Sequence, residues 1–121
     1  MQDRFNFRAW DSIAKEYIFG SYALYELFVN DIDNSYQVEQ CTGLKDKNGK
    51  LIYEGDILAV SPDSHPWDCY KVFWQDDECQ LQAVSYDGPD AYVEPLNELL
   101  EENNMEIIGN IYENPELLEE K

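Results

Sequence analysis

Positive charge is scarce in this sequence of 121 residues, which has 8 lysines and arginines against 26 aspartates and glutamates. Residues 1–60 carry 6 basic and 10 acidic residues, whereas residues 61–121 carry 2 and 16, so most of the net charge of −18 lies in the second half. Proteins that bind nucleic acids or anionic membranes use basic side chains to neutralise phosphates. We therefore predict no direct nucleic-acid binding and no membrane binding. The acidic charge then has three remaining interpretations, which are contact with a basic partner protein, imitation of nucleic-acid charge, and solubility.

Cysteine and histidine are also few, with three cysteines (Cys41, Cys69 and Cys79) and one histidine, His65. The odd count and the absence of a C-x-x-C motif exclude a fully paired disulfide framework within one chain and give no zinc-knuckle signature. No apolar run has the length of a membrane span, and the first residues lack a signal-peptide core. These features predict a reduced, cytoplasmic protein without a metal or another cofactor.

Short polar–apolar alternations between turn signals predict a mainly β fold, a single domain over residues 1–121. The spacing favours a small SH3-like or otherwise distorted barrel. One helix is expected over residues 95–103, because Leu96, Leu99 and Leu100 fall on one face. A short helix is expected at the end of the chain, with Asn114 as N-cap and Pro115 at its first position.

Two turns are predicted in the stretch "DKNGKLIYEGD". Asp46 suits the first position of a type I turn, and Gly49 suits the left-handed position that closes a hairpin with a bulge, although a two-residue turn at Asn48 and Gly49 is a close alternative. Gly55 marks the second turn, and Asp56 is expected to cap exposed backbone donors there. A phosphate-binding loop is disfavoured, because Lys50 is followed by leucine and both flanks are typical of strands.

Three blocks of the sequence resemble one family. They are "FRAWD" (residues 7–11), "TGLKDKNGKLIYEGDI" (residues 42–57) and "IIGNIYENPEL" (residues 107–117). In this order they resemble the YopX-like proteins of phages and prophages. The resemblance implies a small, intracellular, mainly β protein that is associated with phages. It supplies no catalytic residue, and the blocks consist mostly of turn-forming, aromatic and aliphatic residues.

The chemistry-bearing residues outside these blocks do not form a convincing catalytic or metal-binding set. His65 with Asp63 and Asp68 could be drawn as a metal site, but such a site needs about four ligands, or three and a water. His65 could also act as the base for Cys69, although most cysteines at the start of a strand are packing residues. The adjacent acid pairs at residues 76–77 and 101–102 are typical of solvated surfaces.

The absence of a catalytic set predicts a non-enzymatic protein that acts through protein–protein contacts, including self-association, and the family resemblance implies that it is a phage or prophage accessory protein. In a homo-oligomer, basic residues of one copy would meet the acidic half of a neighbour, with aromatic side chains filling the contact. The alternative is an acidic decoy that occupies DNA-binding surfaces, and a small enzyme is a third class. The candidate interface residues are Lys45, Lys47, Lys50, Trp10 and Trp67, and two further basic residues, Arg4 and Arg8, share a predicted strand.

Overall fold

The computed structural model describes residues 7–19, 36–87 and 89–119, so Arg4 lies outside the described residues. Within these residues the chain forms nine strands, one α-helix and two 3₁₀ turns. The strands are β1 (Phe7–Asp11), β2 (Glu16–Phe19), β3 (Tyr36–Lys45), β4 (Leu51–Tyr53), β5 (Asp56–Ala59), β6 (Tyr70–Gln75), β7 (Gln80–Asp87), β8 (Asp90–Pro95) and β9 (Glu106–Asn110). The helix α1 is Leu96–Glu102, and the 3₁₀ turns are Pro66–Asp68 and Pro115–Leu118.

All strand pairs in the two sheets are antiparallel. The first sheet has the order β2-β1-β3-β4 and the second has the order β8-β7-β6-β5-β9. Strands account for 53% of the described residues, and the sheet curls into a half-barrel. The predicted mainly β, distorted-barrel fold with one helix is therefore confirmed.

The hairpin between β3 and β4 has the geometry that its sequence indicates. Gly49 has φ +81°, and its N–H donates to the carbonyl of Asp46 at 3.0 Å. The Asp46 carboxylate accepts from the N–H groups of Asn48 and Lys50, both at 2.9 Å, and from that of Ile107 on β9 at 3.0 Å. One carboxylate thus shapes the turn and ties it to the other sheet. These backbone donors lower the pKa of Asp46 even though burial alone would raise it.

Strand β5 is buried on both faces, because the two halves of the core lie on opposite sides of it. Successive side chains of a strand point to opposite faces. Leu58 packs with Val72, Leu96 and Leu99 in one cluster, which places α1 on that face. Ile57 belongs to the other cluster, which the C-terminal 3₁₀ turn covers through its leucines. Burial on both faces makes β5 the centre of the hydrophobic core.

Both predicted helices differ from the sequence-based expectation in detail. The α-helix begins at Leu96 and not at Pro95, because β8 continues through Pro95, which takes the N-cap position. The terminal helix is a 3₁₀ turn beginning at Pro115. Asn114 takes its N-cap position but forms no side-chain cap, because its Oδ1 accepts from the N–H of Asn110 at 3.3 Å. The predicted N-cap position of Asn114 and the first helical position of Pro115 are therefore confirmed, without a side-chain cap.

Strand β8 was not predicted at all. It forms a hairpin with β7 in which Asp87 pairs with Asp90 and Gln82 pairs with Pro95. None of the helices in residues 7–19, 36–87 and 89–119 has the length and apolar character needed to cross a membrane.

Candidate functional site

A buried ion cluster joins the two sheets. The Nε of Arg8 donates to Glu39 Oε1 at 2.8 Å, and its Nη2 donates to Asp56 Oδ1 at 2.8 Å. The same Nη2 donates to the carbonyl of Glu54 at 3.2 Å. All three side chains of the ion cluster are buried, with Arg8 and Glu39 each 6% exposed and Asp56 3%. We call Arg8, Glu39 and Asp56 the ion triad.

Two tyrosine rings enclose the guanidinium of the ion triad. The Cζ of Arg8 lies 4.1 Å from the ring centroid of Tyr17 and 4.7 Å from that of Tyr53. Such cation–π contacts are strongest where water is excluded. The hydroxyl of Tyr17 also donates to Glu39 Oε1 at 3.1 Å, so the ring and the carboxylate hold each other in place. The rings exclude water from the charges and strengthen their attraction.

The ion triad carries two carboxylates for one guanidinium, which perturbs its titration. Burial raises the pKa of Glu39 and of Asp56, and attraction to Arg8 only partly offsets this. Burial would lower the pKa of Arg8, but the two carboxylates outweigh it and raise that pKa. Burial and the nearby Glu39 charge also raise the pKa of Tyr17. With one excess negative charge away from water, the triad favours proton uptake by its carboxyl pair.

The backbone around Gly55 fits closely against the ion triad. Gly55 has φ +87°, and a Cβ at this position would collide with the Glu39 carboxylate. Its N–H donates to the carbonyl of Val72 at 2.8 Å, and its carbonyl accepts from the N–H of Ile111 at 2.9 Å. Asp56 Oδ2 accepts from the N–H of Tyr53 at 2.8 Å, so Asp56 receives a backbone donor as predicted and also a buried guanidinium, which was not predicted.

The third sequence block reaches the same place through aromatic stacking. The rings of Trp10 and Tyr112 stack with centroids 5.4 Å apart and an interplanar angle of 8°. Tyr17 meets Trp10 edge-on at 5.0 Å. The three blocks that are distant in sequence thus converge at the ion triad. The ion triad is a structural centre and not a reactive site, because its charged groups bond to one another.

The candidate interface residues divide into buried and exposed groups. Trp10 is 5% exposed and Arg8 is 6% exposed, so neither belongs to the surface that a partner could contact. Lys45, Lys47 and Lys50 are exposed around the hairpin. Lys47 is partly engaged, because its Nζ donates to the carbonyl of Val60 at 2.9 Å and lies 3.7 Å from Glu106 Oε1.

The loop with His65 shows packing in place of a reactive pair. The rings of His65 and Trp67 stack with centroids 4.3 Å apart. The thiol of Cys69 is buried and donates to the carbonyl of His65 at 3.4 Å. Burial, followed by the charge of Asp68, raises the pKa of this thiol, which disfavours a thiolate nucleophile. In the part of the chain that the structure describes, no three His, Cys, Asp or Glu residues form a metal-binding group.

An open groove lies on the surface of the β7–β8 hairpin and is the candidate functional site. Its volume is about 720 Å³. Its lining residues include aromatic and acidic side chains but no basic one, and they are Trp67, Asp68, Tyr70, Ser85, Asp87, Ala91, Tyr92, Val93 and Glu94. We call it the acidic–aromatic groove.

The acidic–aromatic groove has the chemistry of a contact surface. Trp67 is 43% exposed, Tyr92 56% and Val93 50%, which is unusual for large apolar side chains. Burial and the nearby charges of Glu102 and Glu98 raise the pKa of Glu94. Carboxylates beside exposed aromatic rings suit a cationic side chain, which can pair with the former and stack on the latter. Trp67 was among the predicted interface residues, whereas Tyr92 was not, because the strand that carries it was not predicted.

Comparison with known proteins gives a family and a similar fold. The profile of the family described as YopX protein matches residues 23–119. The crystal structure of protein EF1440 from Enterococcus faecalis is similar to this chain, with a TM-score of 0.53, 28% sequence identity and coverage of 94% of this chain and 97% of that chain. A search of curated proteins found no match.

Alanine at Gly55 is expected to destabilise the protein more than alanine at Gly49. Both glycines have positive φ, which costs other residues about 1–2 kcal/mol. The space around Gly49 is open, so Gly49→Ala should cost about 1 kcal/mol. Gly55→Ala must also displace Glu39 from the ion triad and should cost at least about 3 kcal/mol. Urea unfolding measures both, and equal losses would contradict this account of the ion triad.

Stability is expected to rise as the pH falls through the raised pKa values of Glu39 and Asp56 towards about 4. Because the pKa values of Glu39 and Asp56 are raised on folding, the folded chain binds more protons than the unfolded chain in this window. One extra proton gives a slope of about 1.4 kcal/mol per pH unit. Below about pH 4 the trend should reverse, since Asp46 has a lowered pKa and its stabilising contribution is lost when it is protonated.

Urea unfolding at several pH values measures the pH dependence of stability. Two variants of equal net charge distinguish the contribution of the ion triad to this dependence from that of general charge repulsion. Glu39→Gln removes a triad carboxylate and should flatten the slope. Glu101→Gln changes the net charge equally at an exposed position and should leave the slope as it is in the wild type. The same slope in both variants would mean that the ion triad does not take up the proton.

Proposed function

The chain belongs to the YopX protein family, and from this premise we propose that it is a cytoplasmic phage or prophage accessory protein without enzymatic activity. It acts through protein–protein contacts, including contacts with copies of itself. The observation that carries this proposal is the acidic–aromatic groove, because exposed tryptophan and tyrosine side chains are characteristic of protein interfaces. The groove lies in the half of the chain with the larger acidic excess.

Self-association would join unlike surfaces of two copies. The exposed lysines 45, 47 and 50 of one copy approach the acidic–aromatic groove of the next, and Trp67 contributes apolar contact area. A head-to-tail contact of this kind closes into a ring when the rotation between copies permits it. Lys47 would exchange its contact with Glu106 for contacts across the interface.

Salt affects this contact in two opposite ways. Each added copy brings a further net charge of −18, so repulsion between whole molecules opposes assembly. Attraction between the lysines and the groove favours it, but these pairs are few. Salt screens both terms within a Debye length of about 8–10 Å. Because the net repulsion is larger, the oligomer should tighten as salt rises from near zero to physiological strength, provided that apolar burial holds the contact.

Sedimentation velocity at low and physiological salt tests self-association. We expect the wild type to form an oligomer that weakens when Lys45, Lys47 and Lys50 are all replaced by glutamine. This change takes the net charge from −18 to −21. A matched control makes the same change of net charge at three exposed positions away from the hairpin turn, as Lys15→Gln, Gln37→Glu and Asn97→Asp.

The control variant should assemble more strongly than the lysine variant, because it keeps the basic hairpin. Circular dichroism confirms that both variants fold. Equal weakening would assign the effect to net charge. A wild type that is monomeric at all concentrations tested would remove self-association and leave contact with another protein as the function.

A second candidate function is that of a decoy for a DNA-binding protein. Glu94, Glu98 and Glu102 are close enough for the latter two to raise the pKa of Glu94. Residues four apart on a helix rise about 6 Å, so Glu98 and Glu102 make a regular row of charges. A decoy would compete with duplex DNA for a basic DNA-binding protein, and neutralising this row with glutamine would abolish the competition. A chain with no competing activity against such proteins is not a decoy.

A further inference from the structure

Among the described residues, the outer edge of β8 is unpaired, and the middle of the strand is apolar. β8 is the last strand of the five-stranded sheet, and it pairs only with β7 among the described strands. Its residues Tyr92 and Val93 are 56% and 50% exposed. Natural proteins usually protect edge strands with charges, bulges or prolines, because an open edge is a template for pairing with another chain. β8 has charges at Asp90 and Glu94 and a proline at its end, but the three residues 91–93 between them carry neither a charge nor a proline.

The register shows which backbone groups face outward. In an antiparallel pair, residues that bond across the ladder alternate with residues that do not. Pro95 has no N–H and pairs with Gln82, so this pair lacks the reciprocal bonds. By alternation, Val93 and Ala91 occupy the same kind of position. Their N–H and C=O groups point away from β7, to the open edge.

The two faces of β8 differ in chemistry. Tyr92 and Glu94 share one face, because alternate residues of a strand do so. Tyr92 is paired with Ser85 of β7, and these three residues all line the acidic–aromatic groove. Ala91 and Val93 also line the groove, but by strand alternation their side chains share the opposite face of β8, where Ala91 pairs with the exposed Tyr86. A strand added to this edge would therefore meet acids and aromatic rings on one face and apolar side chains on the other.

A second β8 strand is a poor occupant of the edge. Antiparallel pairing centred on Tyr92 would place Asp90 of one copy opposite Glu94 of the other, and like charges directly opposite each other destabilise a sheet. The edge requires positive charge at alternate positions, and the exposed Lys45, Lys47 and Lys50 are not interleaved with apolar residues in a strand. The occupant that fits is a different polypeptide.

We propose that the open edge of β8 binds an extended segment of another protein in which basic and apolar residues alternate, as an added strand of the five-stranded sheet. This inference rests on the proposed function in protein contacts and names the chemistry of the partner. Backbone bonds to Ala91 and Val93 give affinity, and alternate side chains give specificity. The basic residues meet Glu94, Asp87 and the rings of the groove, while the apolar residues pack on Val93.

Fluorescence anisotropy with labelled synthetic peptides tests the proposal on the full chain. The probe alternates lysine and valine over six residues, which is the length of β8. One control peptide has the same composition with its lysines and valines in two blocks, and another alternates glutamate and valine. At about 150 mM salt, where exposed charges act over about 8 Å, the alternating lysine peptide should bind at least about tenfold more tightly than either control. Equal binding of the two lysine peptides would overturn strand addition.

Two variants of Val93 separate backbone pairing from charge attraction. Val93→Pro removes an outward N–H that the β7 ladder does not use, and proline is tolerated on an edge strand at such positions. It should lower the affinity for the alternating lysine peptide at least about tenfold, whereas Val93→Thr retains the N–H and should bind within about twofold of the wild type. Unchanged binding by a folded Val93→Pro would overturn the proposal.

A third variant leaves the backbone intact and keeps the test valid if Val93→Pro fails to fold. Glu94→Gln with Asp87→Asn should weaken the alternating lysine peptide and not the alternating glutamate peptide, and an equal effect on both would overturn the proposal. The result is independent of sedimentation. If the wild type is monomeric and binds the alternating lysine peptide, strand addition is supported and self-association is refuted. If the wild type is oligomeric and does not bind this peptide, self-association is supported and strand addition is refuted.

Discussion

One buried guanidinium determines how the two sheets meet. Arg8 lies on the first sheet, Asp56 begins the central strand of the core, and Glu39 lies beside Arg8 on β3. A buried charge whose partner is removed costs several kcal/mol, so each member restrains the others. The shape of the surrounding chain follows from this restraint. Gly55 leaves room for the Glu39 carboxylate, and the rings of Tyr17 and Tyr53 close over the guanidinium.

The interior and the surface of this protein use charge in different ways. The ion triad pairs its guanidinium with two buried carboxylates and joins the first sequence block to the second, which lies within the part of the chain that matches the family. The acidic–aromatic groove leaves its carboxylates and rings open and lies between the second and third blocks, on β8 and the 3₁₀ turn Pro66–Asp68. The family match covers both regions, since it includes residues 23–119, and it identifies no partner.

The features that the sequence predicted are those set by near neighbours. The hairpin at Asp46 and Gly49 follows from turn chemistry within five residues, and the face of α1 follows from the spacing of Leu96 and Leu99. The ion triad could not be predicted in this way, because Arg8 and Asp56 are 48 positions apart in the sequence. The sequence alone does not show which of the 26 acidic residues pairs with Arg8. Trp10 was assigned to an interface for a similar reason, since aromatic composition does not distinguish a buried ring from an exposed one.

Strand β8 was missed because its local signals conflict. The sequence "DAYVEP" is short, acidic at both ends and adjacent to a strong helix pattern, and proline normally weakens a strand assignment. Only the pairing with β7 shows that Pro95 occupies an edge position where its missing N–H has no cost. The predicted helix start was displaced by the same residue. Pro95 is compatible with both the end of a strand and the start of a helix, and its pairing with β7 determines that it belongs to the strand.

The distribution of the ion triad along the chain also constrains the order of events during synthesis. A ribosome releases Arg8 long before Asp56, and Ile111, which donates to the carbonyl of Gly55, comes near the end. The contacts that join the sheets are therefore of high sequence separation, and contacts of that kind slow folding. Until Asp56 has emerged, the guanidinium of Arg8 lacks its partner on the second sheet, and the nascent chain carries a solvated arginine. The ion triad can therefore join the two sheets only after β5 has begun to emerge.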